Sequence, residues 1–519
     1  MVLRQTFFIL IFIAAVIFSS SCRGRNNEFV TIALSEKFTS LDTLTSPGSE
    51  AAADRVRSLI FNSLVRKNEN FEYIGELAKE IKTSDDGKTI TFVLQDNVKF
   101  HDGKDLTAPD VKYTFDELFK SGSYKSGAFF ETIDNQRTPH ITAIETPDPK
   151  TVSFILSRAS LRNQLLSNLV TIPIIPEGTV ARQSEQPVGT GPFMFTSFDQ
   201  SQNVVDLQSN PAYWEGAPKV EKIRLKTVTD ANSLQAELQS GGVDIAPLPT
   251  NLSPDTLNSL GKNQNLKVEQ FNGSNIQYLQ FNTQSPPLNN VKLRQAVAHS
   301  IDREKIIMEL LSGQATIAYS MLPTESWAYN AGTKYTFDPA KAKQLLQESG
   351  YKGEPIKYKF SAGNAAVSQY AQVIQNSLKD VGINAEIETM ESRVLLQQLA
   401  LGQFQMNTGI WVGGNQDPIF LKDLFSTGAI PGERVKCCNR SRYSNPEVDK
   451  LVEEAVNTAD REQAKQIYFR VQEIVSNDVP MLPLWYPANM VVANKRIGNI
   501  KIGASGDWGF LKDVTLDGK

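Results

Sequence analysis

Cysteine and histidine are scarce in this chain: 519 residues carry three of each. A structural zinc site needs four Cys or His ligands at short spacings. His101, His140 and His299 are scattered far apart, so no metal site is expected. Cys437 and Cys438 are neighbours and cannot staple distant parts of a fold. A strained bridge between them and two free thiols both stay open, the free thiols being the plainer reading. A surplus of either charge is also missing. With 53 basic against 57 acidic residues there is no electrostatic footprint for nucleic acid, and no nucleic-acid partner is expected. Catalytic patterns are lacking as well. Gly189-Thr-Gly191 has neither the later glycine nor the lysine of a phosphate loop, and Glu453 and Glu454 fall on a segment that reads as a solvated helix. No nucleophile stands at a specific spacing from a base, so the reading is of a protein that is not an enzyme and takes no cofactor. Neither a fixed-period repeat nor a low-complexity segment is found. What remains is the 40% hydrophobic, 21% charged composition of a globular protein, long enough for two or three lobes rather than one core.

One apolar run stands out, Phe7 to Phe18, preceded by Arg4 and followed by Ser19, Ser20, Ser21 and Cys22. It is short against the roughly 20 apolar residues of a bilayer helix and ends in small residues. Residues 1–21 therefore read as an export signal, with a retained N-terminal membrane anchor as the alternative. A cysteine directly behind such a run resembles a bacterial lipoprotein lipobox, in which Cys22 becomes the lipidated first residue of the mature chain. Ser19 departs from that pattern, which has an aliphatic residue there. Stable anchoring needs more than one acyl chain, since a single chain holds only marginally. The polar residues 22–28 read as a tether.

Beyond the tether, β-branched alternation predicts a strand over Phe29–Leu34, and helical spacing predicts a helix over Ala51–Val65 with Arg55 and Arg57 on its outer face. Asp85-Asp86-Gly87 reads as the turn of a hairpin whose second strand is Thr89–Leu94. Thr107-Ala-Pro-Asp110 offers a capping pattern for a helix running through Val111, Phe115 and Leu118. Helix followed by strand recurs at Ser233–Ala246, stopping at Gly241 and Gly242, and at Gln369–Ile387, stopping at Gly382. A further helix runs from Pro339 to Gly350. A helix-rich block at Asn290–Leu311 follows the strand Tyr278–Asn282 and marks a change of lobe. Met490–Ala493 and Ile497–Ile502 read as strands that rejoin the first lobe's sheet. Such alternation points to mixed sheets with helices packed on them.

The run Asp96-Asn-Val-Lys-Phe-His-Asp-Gly-Lys-Asp-Leu-Thr-Ala-Pro-Asp-Val111 resembles the signature of family 5 extracellular solute-binding proteins, the dipeptide, oligopeptide and nickel group. Val188-Gly-Thr-Gly-Pro-Phe193, Asn210-Pro-Ala-Tyr-Trp214, Leu238-Gln-Ser-Gly-Gly-Val-Asp-Ile245, Tyr443-Ser-Asn-Pro-Glu-Val-Asp449 and Pro480-Met-Leu-Pro-Leu-Trp485 are similar to further segments in the family order. The resemblance implies an α/β, two-lobed periplasmic-binding-protein-like fold (type II, cluster C) with mixed sheets, hinge strands and a ligand cleft between the lobes. By it, lobe I would comprise 29–271 plus 488–519, with an inserted subdomain at about 66–187, and lobe II 272–487. Hinge crossings would lie near Gln270–Ile276 and Tyr486–Met490. The implied activity is capture of peptides or peptide-like solutes by hinge closure and their delivery to the permease subunits of an ABC transporter with their cytoplasmic ATPases. The implied state is a monomer, exported to the periplasm or cell surface and held to the membrane through lipid on Cys22. A peptide sensor or chaperone-like lipoprotein without an importer, and a binder of nickel-type metal chelates, stay open beside it.

In peptide-binding relatives the ligand's α-amine meets an aspartate in a segment that resembles Trp411-Val-Gly-Gly-Asn-Gln-Asp-Pro418. The corresponding position here is Gly414, which removes the usual reason to prefer a free amine, because a buried ammonium lacking a carboxylate is disfavoured by several kcal/mol. Asp417 either substitutes for that carboxylate or shapes the turn. Phe38, Thr39 and Ser40 occupy the stretch that lines the cleft in relatives, with a core role for Phe38 as the alternative. Trp411 is read as a cleft wall rather than core because it opens the glycine-rich segment, and Gly413 and Asn415 complete the expected site. His101, inside the signature itself, reads as structural.

Overall fold

The computed structural model describes residues 28–517 except 47, 49, 134, 135, 363, 364, 433–437 and 459. Two mixed sheets organise the chain. The first has seven strands in the spatial order Phe193–Asp199, Val204–Ser209, Lys222–Thr227, Val30–Leu34, Ile245–Pro247, Asn489–Asn494 and Leu266–Phe271. The second has six: Ala315–Ile317, Met481–Pro487, Ile276–Phe281, Met406–Trp411, Ile356–Ser361 and Ala385–Met390. A four-stranded antiparallel sheet, Ala78–Thr83, Thr89–Leu94, Thr151–Leu156 and Ile141–Asp148, belongs to the first lobe.

Alternation does what the pattern requires. In Thr89–Leu94 every second residue is buried, so Ile90, Phe92 and Leu94 face inward, where Phe92 meets Phe154 edge-on at 5.6 Å. The helix Ala108–Lys120 starts as its capping pattern dictates, with Asp110 reaching back to accept from the Thr107 N–H at 2.9 Å. Its buried face joins the four-stranded sheet to the core under the seven-stranded one, so both sheets share one apolar cluster that includes Ile32, Phe92, Phe115, Phe154, Val205 and Ile223. His101 is part of the same scaffold. Its Nε2 lies 3.0 Å from the Gly191 carbonyl and clasps the Val188–Phe193 segment, and burial pulls its pKa down.

The cores of the two lobes are separate. One cluster fills each face of each main sheet, and none among the described residues contains side chains from both sheets. The chain passes between the sheets twice, at 272–275 between the strands Leu266–Phe271 and Ile276–Phe281, and at Ala488 between Met481–Pro487 and Asn489–Asn494. At the crossing the two connections touch. A Cβ added to Gly273 would fall well inside van der Waals contact of the Pro487 carbonyl oxygen. The buried Asn489 side chain binds them together, its Nδ2 lying 3.0 Å from Asn272 O, 3.0 Å from Gly503 O and 3.1 Å from Ala504 O.

Three expectations are corrected. The helix expected over Ala51–Val65 ends at Ile60, and the chain turns into the short strand Val65–Lys67. Arg57 lies in the interior, not on the outer face, because its guanidinium bonds Asp54 Oδ1 at 2.8 Å and Ser40 O at 3.0 Å. Of the two late strands only Asn489–Asn494 joins the main sheet; Ile497–Gly498 pairs instead with Thr515–Leu516.

Gly273→Ala is expected to lower the melting temperature by about 1–3 °C, the effect of roughly 1–3 kcal/mol of overpacking in a chain of this size. Gly122→Ala, where a Cβ meets nothing within 4 Å, serves as the control. Equal melting temperatures for the two variants would disprove the close crossing.

Candidate ligand cleft

The strand Met406–Trp411 is the lobe II element that runs up to the crossing. It pairs antiparallel with Ile276–Phe281 along its whole length, but its parallel neighbour Ile356–Ser361 meets it only at Met406 and Asn407. From Thr408 onward one edge has no strand beside it among the described residues. Strand alternation turns Trp411 toward Tyr278 and Ile410 to the opposite face. Ile410 is 48% exposed and Val412, just beyond the strand, is 68% exposed. Trp411 is half-buried. Its ring stacks on Tyr278 at 6.5 Å, meets Phe420 edge-on at 5.0 Å and carries the Arg440 guanidinium 5.6 Å from its centre.

The next residues are bolted to the crossing. Gly413, in a left-handed conformation at φ +74°, donates its N–H to Asn275 Oδ1 at 3.3 Å. Asn415 Nδ2 donates to Ser274 O at 2.6 Å and Met321 O at 3.1 Å, and Gln416 Nε2 donates to Ser274 Oγ at 3.0 Å. The same segment then meets the other lobe. A hairpin of lobe I, Val65–Lys67 paired with Tyr73–Gly75, presents Lys67 Nζ to Gln416 Oε1 at 3.1 Å and donates the Tyr73 hydroxyl to Asp417 Oδ2. Glu72, also on this hairpin, pairs with Arg461. Burial, with the Asp417 charge beside it, pushes the Tyr73 hydroxyl upward, and burial pulls the Lys67 ammonium down. The Arg461 hydrogen bond holds the Glu72 carboxyl below its usual range.

The segment read from sequence as the site thus lies where both lobes and the crossing converge. Asp417 is fully engaged, since Oδ1 accepts from the Ile419 N–H at 3.0 Å and Oδ2 from Tyr73. Its roles are turn and lobe contact, and it leaves no free carboxylate in 411–418. Gly414 is exposed and its φ is not left-handed; a Cβ there would sit 3.5 Å from the Phe420 ring, so the missing side chain leaves real space. Asn415 is wholly buried and structural.

On the lobe I side the expected residues are placed less favourably. Phe38 is corrected to core: it is 3% exposed and its ring stacks on Phe198 at 5.0 Å. Thr39 is exposed, with its N–H and hydroxyl both donated to Glu50 Oε1, at 3.1 and 3.0 Å. Ser40 accepts from the Asp42 N–H at 3.0 Å and caps a turn. Cys22 and Cys437 lie outside the described residues. Cys438 is disulfide-bonded, which overturns the free-thiol reading. Lys67, Glu72, Tyr73, Arg440 and Arg461 carried no sequence signal of their own. The crossing itself falls where the family resemblance placed the hinge, near Gln270–Ile276 and Tyr486–Met490, and Gly273, two residues past a strand end, is its local mark in the sequence.

Two separately cored lobes, joined by a double strand crossing and meeting through polar contacts beside an unpaired strand edge, define a hinged solute-binding protein. The chain belongs to the bacterial extracellular solute-binding proteins of family 5, whose middle-region family model matches residues 72–432. These are binding proteins and not enzymes. A probable D,D-dipeptide-binding periplasmic protein of Escherichia coli (strain K12) is 30% identical over 437 residues, 82% of this chain and 81% of that one. Heme-binding protein A of Haemophilus influenzae is 27% identical over 489 residues, 89% of this chain and 87% of that one. The solved structure of HbpA2 from Haemophilus parasuis superposes with a TM-score of 0.80 at 26% identity, covering 95% of this chain and all of the other.

The Tyr73–Asp417 and Glu72–Arg461 contacts exist only while the lobes are together. A Tyr73→Phe/Arg461→Gln double variant is expected to increase the radius of gyration of the ligand-free protein in small-angle X-ray scattering. Its affinity for bound solute should weaken about five- to thirtyfold, the effect of losing about 1–2 kcal/mol. An unchanged radius together with unchanged affinity would show that the hairpin does not hold the lobes.

Proposed function

We propose that this protein captures peptides or peptide-like solutes outside the cytoplasm and hands them to the permease of an ABC importer. One observation carries the reading: the unpaired edge of the strand Met406–Trp411 beyond Asn407, opening where the two lobes meet. An extended backbone laid along that edge gains main-chain hydrogen bonds whatever its side chains are, which is strand addition. Ile410 and Val412 supply apolar surface beside it, and solvent in the remaining space tolerates varied side chains. The name of the Escherichia coli relative, a D,D-dipeptide binder, agrees with a peptide-like cargo.

The proposed ligand-contacting set is Trp411, Gly413 and Gly414 in lobe II, faced by Thr39 and Ser40 in lobe I, with Asn415 and Asp417 shaping the segment. Because Asp417 is engaged and Gly414 has no side chain, a free α-amine is not selected here. A solute touching both lobes binds the closed form better and draws the hinge equilibrium toward it. Export through residues 1–21, lipid on Cys22 and a monomeric working state complete the proposal. No helix among the described residues is long and apolar enough to cross a membrane.

Two experiments test this. Mass spectrometry of solutes that co-purify with the signal-free protein, with calorimetry against free and N-acetylated tripeptides, is expected to find peptides. The free and acetylated forms should bind within about threefold of each other, a difference below 1 kcal/mol. A preference of tenfold or more for the free amine would mean that an ammonium site exists elsewhere in the cleft, and no binding of either form would sink the peptide reading. A Cys22→Ser variant of the full chain should move from the membrane to the soluble fraction; retention at the membrane would refute lipidation at that residue.

A further inference from the structure

Arg440 is half-buried beside the cleft segment, yet its guanidinium forms no hydrogen bond or ion pair with any described residue. Its Nε is cut off from solvent with no partner, and the Nε1 of Trp411, the ring beneath it, is in the same condition. Elsewhere in this lobe buried arginines are satisfied. Arg303 Nη1 donates to Ala318 O at 2.6 Å and Pro483 O at 2.7 Å, and Arg294 donates to Leu288 O at 2.8 Å and Val479 O at 3.0 Å. A guanidinium has five donors in a rigid fork; at Arg440 the Nε donor is cut off from solvent and unmet, which is unfavourable, and the two Nη groups stay free to take an anion. The charge is felt inside the site: burial pushes the Tyr278 hydroxyl up to about 12, and Arg440 is the charge that opposes the shift. Gly414 of the same segment is open to solvent, and Phe420 touches both the Trp411 ring and the position a Gly414 side chain would take. Asp417, the carboxylate of the same segment, is turned toward Tyr73 and the Ile419 N–H.

We propose that Arg440 receives a carboxylate of the bound solute over the face of Trp411, so that this end of the cleft selects an anionic group where an ammonium would be repelled. The inference rests on the peptide reading of the cleft and deepens it, naming the charge of the solute. A fork-on-fork pair with a carboxylate satisfies two guanidinium donors at once, and a lysine at the same place would meet the anion only as a point charge.

Calorimetry tests it with three probes on the signal-free protein: N-acetyl-Ala-Phe-Ala amide, which is uncharged, N-acetyl-Ala-Phe-Ala, and N-succinyl-Ala-Phe-Ala amide. The last two place a carboxylate at opposite ends. At least one carboxylate probe is expected to bind about tenfold or more tightly than the uncharged one. Arg440→Gln should remove that gain while leaving the uncharged probe within about twofold, and Arg440→Lys should keep part of it. A gain that survives Arg440→Gln, or the absence of any gain in the native protein, overturns the proposal. If none of the three probes binds, the peptide reading fails by itself. Thermal melting in millimolar glutarate then decides the anion site: stabilisation of the native protein but not of Arg440→Gln upholds it, and equal shifts overturn it.

Discussion

The contact on which the molecule depends is the one between Gly273 and Pro487, where two connections cross with no room for a side chain and Asn489 holds both. Because the chain changes sheets only there, each lobe has to bury its apolar residues within itself, and the clusters divide accordingly. Hydrophobic burial, the largest stabilising term, is then the same whether the lobes stand apart or together. What changes with their separation is a small set of polar contacts, each contributing about 0.5–1.5 kcal/mol at most in water. Opposing terms of that size leave open and closed forms near balance, and a solute can decide between them.

The cleft segment exploits this position. Gly413, Asn415 and Gln416 are anchored on Ser274 and Asn275, at the pivot itself, while Gln416 and Asp417 reach the lobe I hairpin. The strand Met406–Trp411 thus ends five residues before Gln416, the first group of the segment to pair with the lobe I hairpin. Asp417, which local chemistry alone would offer to a ligand's amine, is instead taken by Tyr73 of the other lobe and by the Ile419 N–H.

Much of the fold was legible because it is written in local pattern. The alternation in Thr89–Leu94, the capping residues Thr107 and Asp110, and the helices ending at Gly241 and Gly350 are determined by neighbours in sequence. The two-lobed arrangement came from family resemblance, since nothing in the pattern of one strand names the sheet it joins. Tyr73 and Asp417 are 344 residues apart, and no local signal predicts that they meet. Arg57 misled because helical spacing places it outside, whereas Asp54 and the Ser40 carbonyl draw it in. Phe38 could be read as cleft or core from its position after a strand, and its partner Phe198 lies far away in sequence.

An unpaired strand edge is ordinarily a hazard for a protein outside the cell, since it invites pairing with a second copy and aggregation. Here the edge beyond Asn407 is a few residues long, ends at the left-handed Gly413, and opens opposite the Val65–Gly75 hairpin. An edge that short, closed off by a turn, offers a second copy too few backbone groups for stable pairing. The shortness of the edge thus keeps a sticky surface from recruiting the protein's own neighbours.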